Sequence, residues 1–159
     1  MGEGVLVVRQ AGAADRAALG GLRRAWTAEQ TGAEQTGDAA FDPDFAAAFE
    51  DWLEREGDRR VCWLAERAGQ PVGMVNLALF ERMPRPGQPR SRWGYLGNAY
   101  VLPEHRGAGT GAALVTALLA YAKKEGLVRV VLSPSARSVP FYERAGFHRA
   151  DELMLITLG

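Results

Sequence analysis

Arg106-Gly107-Ala108-Gly109-Thr110-Gly111-Ala112 is the segment whose residue types and spacing point most directly to chemistry. Glycines at 107, 109 and 111 remove the Cβ atoms that would keep a bulky anion away from the main chain. Consecutive N–H groups can then point at phosphate oxygens. A helical pattern begins near Gly109, so its unpaired first-turn N–H groups and positive dipole end serve the same mouth. Arg106 adds a forked cation suited to phosphate. The predicted chemistry is capture of a diphosphate, mainly by backbone and without a metal. If the loop were only a tight turn, Gly109 and Gly111 would weaken the helix start without return.

Two better-known glycine motifs fit less well. Gly107-x-Gly109-x-x-Ala112 matches a dinucleotide fingerprint in form. That motif opens a first βαβ unit and is followed by an acid about 20 residues on. Here it comes late in the chain, and the next strand ends in Leu132-Ser133 with no acid. A Walker loop requires Gly-Lys-Ser/Thr, which does not follow. Cys62 is the one cysteine, and His105 and His148 are the two histidines. This inventory excludes an internal disulfide and argues against a structural zinc site. No metal is expected. Cys62, within Val61-Cys62-Trp63-Leu64, reads as a small core residue.

The elements that must position these residues follow from periodicity. Val5 to Arg9 reads as a first strand. Leu19, Leu22 and Trp26 mark one face of a helix over 13–28. A tandem repeat, Ala28-Glu29-Gln30-Thr31-Gly32 and Ala33-Glu34-Gln35-Thr36-Gly37, then predicts a mobile loop. Asp42-Pro43 opens a second helix faced by Phe45, Phe49 and Trp52 and stopped at Gly57. Strands at 61–67 and 72–81 form a hairpin around Ala68-Gly69-Gln70-Pro71, and a loop over 83–92 leads to a strand at 93–102. Gly94 and Gly97 within that strand signal a bulge or a close backbone approach. Leu114, Val115, Leu118, Leu119 and Ala122 stripe the helix after the glycine loop, which ends at Lys123-Lys124-Glu125-Gly126. A strand at 128–132, a short helix at 138–145 and closing strands at 147–149 and 152–158 complete the order β-α-α-β-β-β-α-β-α-β-β. This is an α/β (α+β) arrangement with a mixed, mostly antiparallel sheet, in one domain over 1–159.

At 159 residues with 47% apolar and 24% charged side chains, the chain has the mix of a globular domain. Formal net charge is zero, which gives no field favouring nucleic acid or an anionic membrane. MGEGVLVVRQ lacks a signal-peptide pattern, and the apolar run at 111–122 is too short to span a bilayer. The expectation is a cytoplasmic protein with no nucleic-acid or membrane partner.

Arg106, Gly109 and Gly111 match the central motif Gln/Arg-x-x-Gly-x-Gly/Ala of the GNAT superfamily of N-acetyltransferases, which the chain therefore resembles. A second match follows at that family's usual distance. The family often has Asn-x-x-Ala-x-x-(Leu/Phe)-Tyr-x-x-x-Gly-Phe, and this chain keeps Tyr142, Gly146 and Phe147. It puts Ser135 at the Asn position and Ser138 at the Ala position. The element order is similar from first strand to last.

The resemblance implies an enzyme that moves an acetyl group from acetyl-CoA directly to a primary amine of an unidentified small-molecule or peptide acceptor. Acetyl-CoA would lie in a V between the strands at 93–102 and 128–132. The backbone of Ala99, Tyr100 and Val101 would pair with the pantetheine arm, residues 106–112 would hold the diphosphate, and Ser135 would bond the arm. A main-chain N–H of the splayed strand would polarise the thioester carbonyl. Tyr142 would protonate the departing thiolate. An acceptor amine of pKa ~10.4 is neutral in about one molecule in 10³ at pH 7, so something must take its proton. The strand before the cradle has no acid, and Glu81 is the first candidate base. Glu29, Glu34, His105 and a water chain are others. The loops at 29–41 and 82–92 offer both acidic and basic rims to the acceptor. A homodimer follows by analogy only. The rival reading is a non-catalytic acyl-CoA-binding sensor or regulatory module, favoured by the missing strand acid and by Ser135, opposed by Tyr142.

Overall fold

The computed structural model describes residues 4–31 and 42–159. One five-stranded sheet organises them, in the spatial order β1 (Leu6–Gln10), β2 (Arg60–Arg67), β3 (Gln70–Glu81), β4 (Arg92–Val101), β5 (Val130–Val131). The first three pairings are antiparallel, and β4–β5 is parallel. The β2–β3 hairpin turns at Ala68 and Gly69, both with positive φ, so the two strands leave it in register from Arg67↔Gln70.

Strand periodicity puts alternate residues on opposite faces. On one face Val61, Trp63 and Ala65 of β2 and Val75 and Leu77 of β3 pack against Leu114, Val115 and Leu118 of α3 (Thr110–Lys124). Leu114 and Leu118 are almost fully buried, and each such side chain contributes roughly 1.5–3 kcal/mol. On the other face Leu64 and Met74 meet Leu19 and Leu22 of α1 (Arg16–Thr31), with Phe49 and Leu53 of α2 (Phe45–Glu56) packed alongside. The β3 strand is covered on both faces, which is why its apolar run from Val72 to Ala78 shows no alternation. A short α4 (Val139–Arg144) lays Phe141 and Tyr142 against the α3 layer.

The helix after the glycine loop and the central hairpin follow the sequence expectations closely. Other segments differ. Helix α1 runs on to Thr31, so Ala28 to Thr31 of the repeat expected as a loop are helical, and residues 32–37 of that repeat lie outside the described residues. Helix α2 starts at Phe45 rather than at Pro43, because the Asp42 side chain accepts the Asp44 N–H at 2.9 Å and holds a preceding turn. The closing strands expected at 147–149 and 152–158 do not form, and β5 is two residues long. A strand exists only where its backbone finds a ladder, and among the described residues this segment pairs with none. Among the described residues, no helix is long and apolar enough to cross a membrane.

Candidate functional site

The β3–β4 pairing runs from Glu81↔Arg92 to Gly73↔Val101. The β4–β5 pairing covers only Gly94↔Val130 and Tyr95↔Val131. Beyond Tyr95, among the described residues, no strand pairs with this edge of β4, and at its end the Val101 carbonyl is taken by Arg106. Within this open stretch the β3 register jumps between Met74↔Tyr100 and Asn76↔Gly97, a bulge that leaves Asn98 and Ala99 outside the ladder. Asn98 takes φ 54°, a left-handed conformation that Asn tolerates better than most residues. The bulge also reverses which face the side chains take. Leu96 belongs to the α3 layer, whereas Tyr100, four residues on, is buried beneath α1.

The strand then enters a short turn, Pro103–His105, and the glycine loop. Gly107 and Gly109 have φ 76° and 82°, a region costly for side chains with a Cβ. A Cβ built on either would meet nothing within 4 Å, so the space in front of the loop is open. Helix α3 starts directly behind it, with Gly109 at its N-cap. Thr110, in the first turn, is 1% exposed, and its Oγ1 is buried without a hydrogen-bond partner. An open, N–H-lined mouth at a helix start fits an anionic group, and the unpartnered hydroxyl beneath fits it too. Gly111 faces the next motif: a Cβ there would lie 3.4 Å from the Phe141 ring, in ordinary van der Waals contact. Ala108 and Ala112 are exposed beside the mouth.

Arg106 is held by three hydrogen bonds to two groups. Its Nη1 and Nη2 donate to Glu29 at 2.7 and 2.8 Å, and its Nε donates to the Val101 carbonyl at 2.9 Å. The Tyr100 hydroxyl donates to the same Glu29 carboxylate at 2.8 Å, and the Tyr100 ring stacks on Trp26. The Arg106 guanidinium holds the Glu29 carboxyl below the usual carboxylate range. Burial, then the Glu29 bond, pushes Tyr100 up to about 12. The C-terminal end of α1 is thereby tied to the cradle. The pair is separated by 77 residues, and no local pattern signals it.

Tyr142 sits half-buried between Phe141 and Phe147, both edge-on, and burial pushes its phenol up. Its neighbour Phe141 is the residue touching Gly111, so the second motif packs directly onto the first. Ser135 is exposed, and its Oγ donates to Ser138 Oγ at 3.0 Å. His105 lies in the turn before the cradle.

Glu81 is not brought to this site. It lies opposite Arg92, nine residues from Val101 along β4, which is roughly 30 Å of extended strand. Arg90 grips its carboxylate at 2.6 and 2.8 Å and holds it below the usual carboxylate range. Glu34 lies outside the described residues.

On the other face of the bulge, α1, α2, β2, β3 and β4 line an open-sided cavity of about 340 Å³. Asn98 lines it, as does Cys62, whose thiol burial pushes up to about 11. Such a thiol stays protonated and is a poor nucleophile.

A family model described as the acetyltransferase (GNAT) family matches residues 22–147. Glucosamine 6-phosphate N-acetyltransferase of Trypanosoma brucei brucei is 30% identical over 112 residues, covering 70% of this chain and 74% of that protein. The crystal structure of a Trypanosoma brucei acetyltransferase superposes with a TM-score of 0.70 at 26% identity, covering 97% and 100% of the two chains. A predicted acetyltransferase from Clostridium acetobutylicum, crystallised with acetyl-CoA, gives 0.71 at 24% identity over 96% of each chain.

Proposed function

Because the chain belongs to the GNAT family of acetyltransferases, enzymes that N-acetylate from acetyl-CoA, we propose that acetyl-CoA lies along the open edge of β4, its diphosphate in the loop at 106–112. The observation that carries this is the unpaired edge of β4 leading straight into an open glycine loop at a helix start. Acetyl-CoA supplies an acetyl thioester, whose carbonyl carbon is the electrophile.

The backbone of Ala99, Tyr100 and Val101 offers strand-like hydrogen bonds to the pantetheine arm. Bulging frees main-chain N–H groups at Asn98 and Ala99, and one of them polarises the thioester carbonyl. The N–H groups of Gly107 to Ala112 and the dipole of α3 take the diphosphate. Ser135, at the surface before α4, bonds the arm. Tyr142 gives its proton to the departing thiolate, which a neutral, desolvated phenol is able to do when placed within hydrogen-bond reach.

The acceptor amine enters the cavity beside Asn98, since that residue joins the cavity to the open edge. Among the described residues no carboxylate lines this cavity, and the amine's proton passes to water. Glu81 has no part in this reading. Glu29 occupies Arg106 and competes with the diphosphate for it. Two copies associate as a homodimer through the exposed C-terminal segment.

Calorimetry with Gly109→Val tests the cradle. A β-branched residue at φ 82° is strained, and its methyls stand where the diphosphate goes. Affinity for acetyl-CoA is expected to fall by about two orders of magnitude or more. Unchanged affinity in a folded variant removes the loop from the site.

A further inference from the structure

The cavity beside Asn98 has a chemistry of its own, and the identity of its ligand, argued from that chemistry, rests on the cavity being the acceptor site. Its walls are built mainly from Leu19, Phe45, Phe49, Trp52 and Met74. Among the described residues, Arg23 is the one charged side chain lining it, and no Asp or Glu does. Asn76 is 6% exposed, and its Oδ1 accepts from Arg60 at 2.6 Å. Arg60 is itself held by Glu56 at 2.6 Å and lies over the Trp52 ring, so it stiffens the wall instead of serving a ligand. Arg23 lies over the Trp26 ring at 4.8 Å and makes no ion pair among the described residues.

These walls discriminate between amines. A polyamine or an amino sugar with further cationic groups would bring charge into a lining whose described residues hold no counter-ion, which is costly. A polyol would lose its water hydrogen bonds against aromatic rings. An apolar body gains with every Å² it buries. An anionic group would find Arg23.

We propose that the acceptor is an amine that carries both a carboxylate and a large apolar group, the chemistry of an α-amino acid such as phenylalanine or leucine. The carboxylate pairs with Arg23, the apolar group lies among Phe45, Phe49 and Trp52, and the amine points toward the Asn98 bulge. The amine nitrogen forms a bond to the acetyl carbonyl carbon while the C–S bond breaks. Sulfur keeps the electron pair and takes a proton from Tyr142, and the excess N–H proton leaves to water. The product is an N-acetyl amino acid.

The test measures CoA thiol release with phenylalanine, leucine, phenethylamine, glucosamine 6-phosphate and spermidine, alongside calorimetry of acetyl-CoA and of N-acetylphenylalanine. The kcat/KM for phenylalanine should exceed those for the sugar and for spermidine by at least about tenfold. Arg23→Gln should lower kcat/KM for phenylalanine about tenfold more than for phenethylamine, which lacks the carboxylate, as loss of one charge-assisted contact implies. It should also weaken N-acetylphenylalanine binding by a similar factor, a readout that needs no turnover. Thermal melting of Arg23→Gln confirms a folded variant. Preference for the sugar or for spermidine, or equal effects of Arg23→Gln on phenylalanine and phenethylamine, overturns the proposal while leaving the acetyltransferase reading intact. Failure of acetyl-CoA itself to bind brings down both.

Discussion

Tyr142 packs edge-on between Phe141 and Phe147, and the loss of water around its hydroxyl raises its pKa from the usual phenol value of about 10. A raised pKa means that the proton is retained until the pH climbs beyond that value. The acid form is therefore fully present through neutral pH, and no falling limb below about pH 10 should trace to this residue. Replacing it by Phe keeps the rings packed and removes only the proton donor. Tyr142→Phe is expected to lower kcat about 100-fold and leave acetyl-CoA affinity unchanged, the lower end of what a general acid contributes. A fall in affinity with no change in kcat would show a packing residue instead. Arg106 poses a different question, since Glu29 already occupies it. A carboxylate and a diphosphate compete for one guanidinium, and a half-exposed pair is worth at most about 1 kcal/mol. Glu29→Gln keeps an acceptor for Tyr100 and releases the charge. Its acetyl-CoA dissociation constant should drop about fivefold, measured by calorimetry near neutral pH. Weaker binding would mean that Glu29 positions Arg106 productively.

Between elements, a polar joint outside the site links β1 to the turn that precedes α1. Asp15 accepts from both Nη atoms of Arg9 at 2.8 Å and from the Gly12 N–H at 2.7 Å. Arg9, and then the Gly12 N–H, hold the Asp15 carboxyl down at about 2. A depressed carboxylate contributes stability that is complete above its unfolded value near 3.8 and vanishes as pH falls through about 2. Asp15→Asn should therefore flatten the loss of thermal stability between those values, and lower stability at neutral pH by a modest amount because the pair is partly exposed. Identical pH curves for the two proteins would show that the joint carries no weight. These elements also show what a sequence reveals. The glycine loop, the α3 stripe and Tyr142 are legible because each is a short-range pattern with one physical reading. The Gly97-Asn98 bulge is half legible: a glycine in a strand signals it, but the reversal of side-chain facing between Leu96 and Tyr100 follows only from the register with β3. The Glu29–Arg106 tie is invisible, because contacts between distant segments leave no local trace. Glu81 stands on the strand next to β4, and strand adjacency does not say which end of that strand meets the cradle.

At the scale of the whole molecule, the C-terminal segment stands apart. Met154, Leu155 and Leu158 are 99%, 92% and 89% exposed, and Ile156 is largely exposed as well. Soluble monomers rarely present a contiguous apolar stretch of this kind. The residues are right for a strand, which is why the sequence predicts one at 152–158, but an extended segment needs a ladder partner. Beside it, β5 pairs with β4 over two residues and leaves its own outer edge free. An unpaired β-competent segment and an unpaired edge on the same chain satisfy each other when two copies meet, which is the closed, two-fold arrangement most common among soluble oligomers. Light scattering on the full chain at tens of micromolar is then expected to report twice the 17.2 kDa chain mass. Leu155→Asp places a charge in the middle of the contact and should return the monomer, without loss of the α3 core that Leu114 and Leu118 hold together. A wild-type protein that is monomeric at that concentration, or a variant that stays dimeric, would show that this segment is not the contact and that the homodimer must be abandoned or moved to another face.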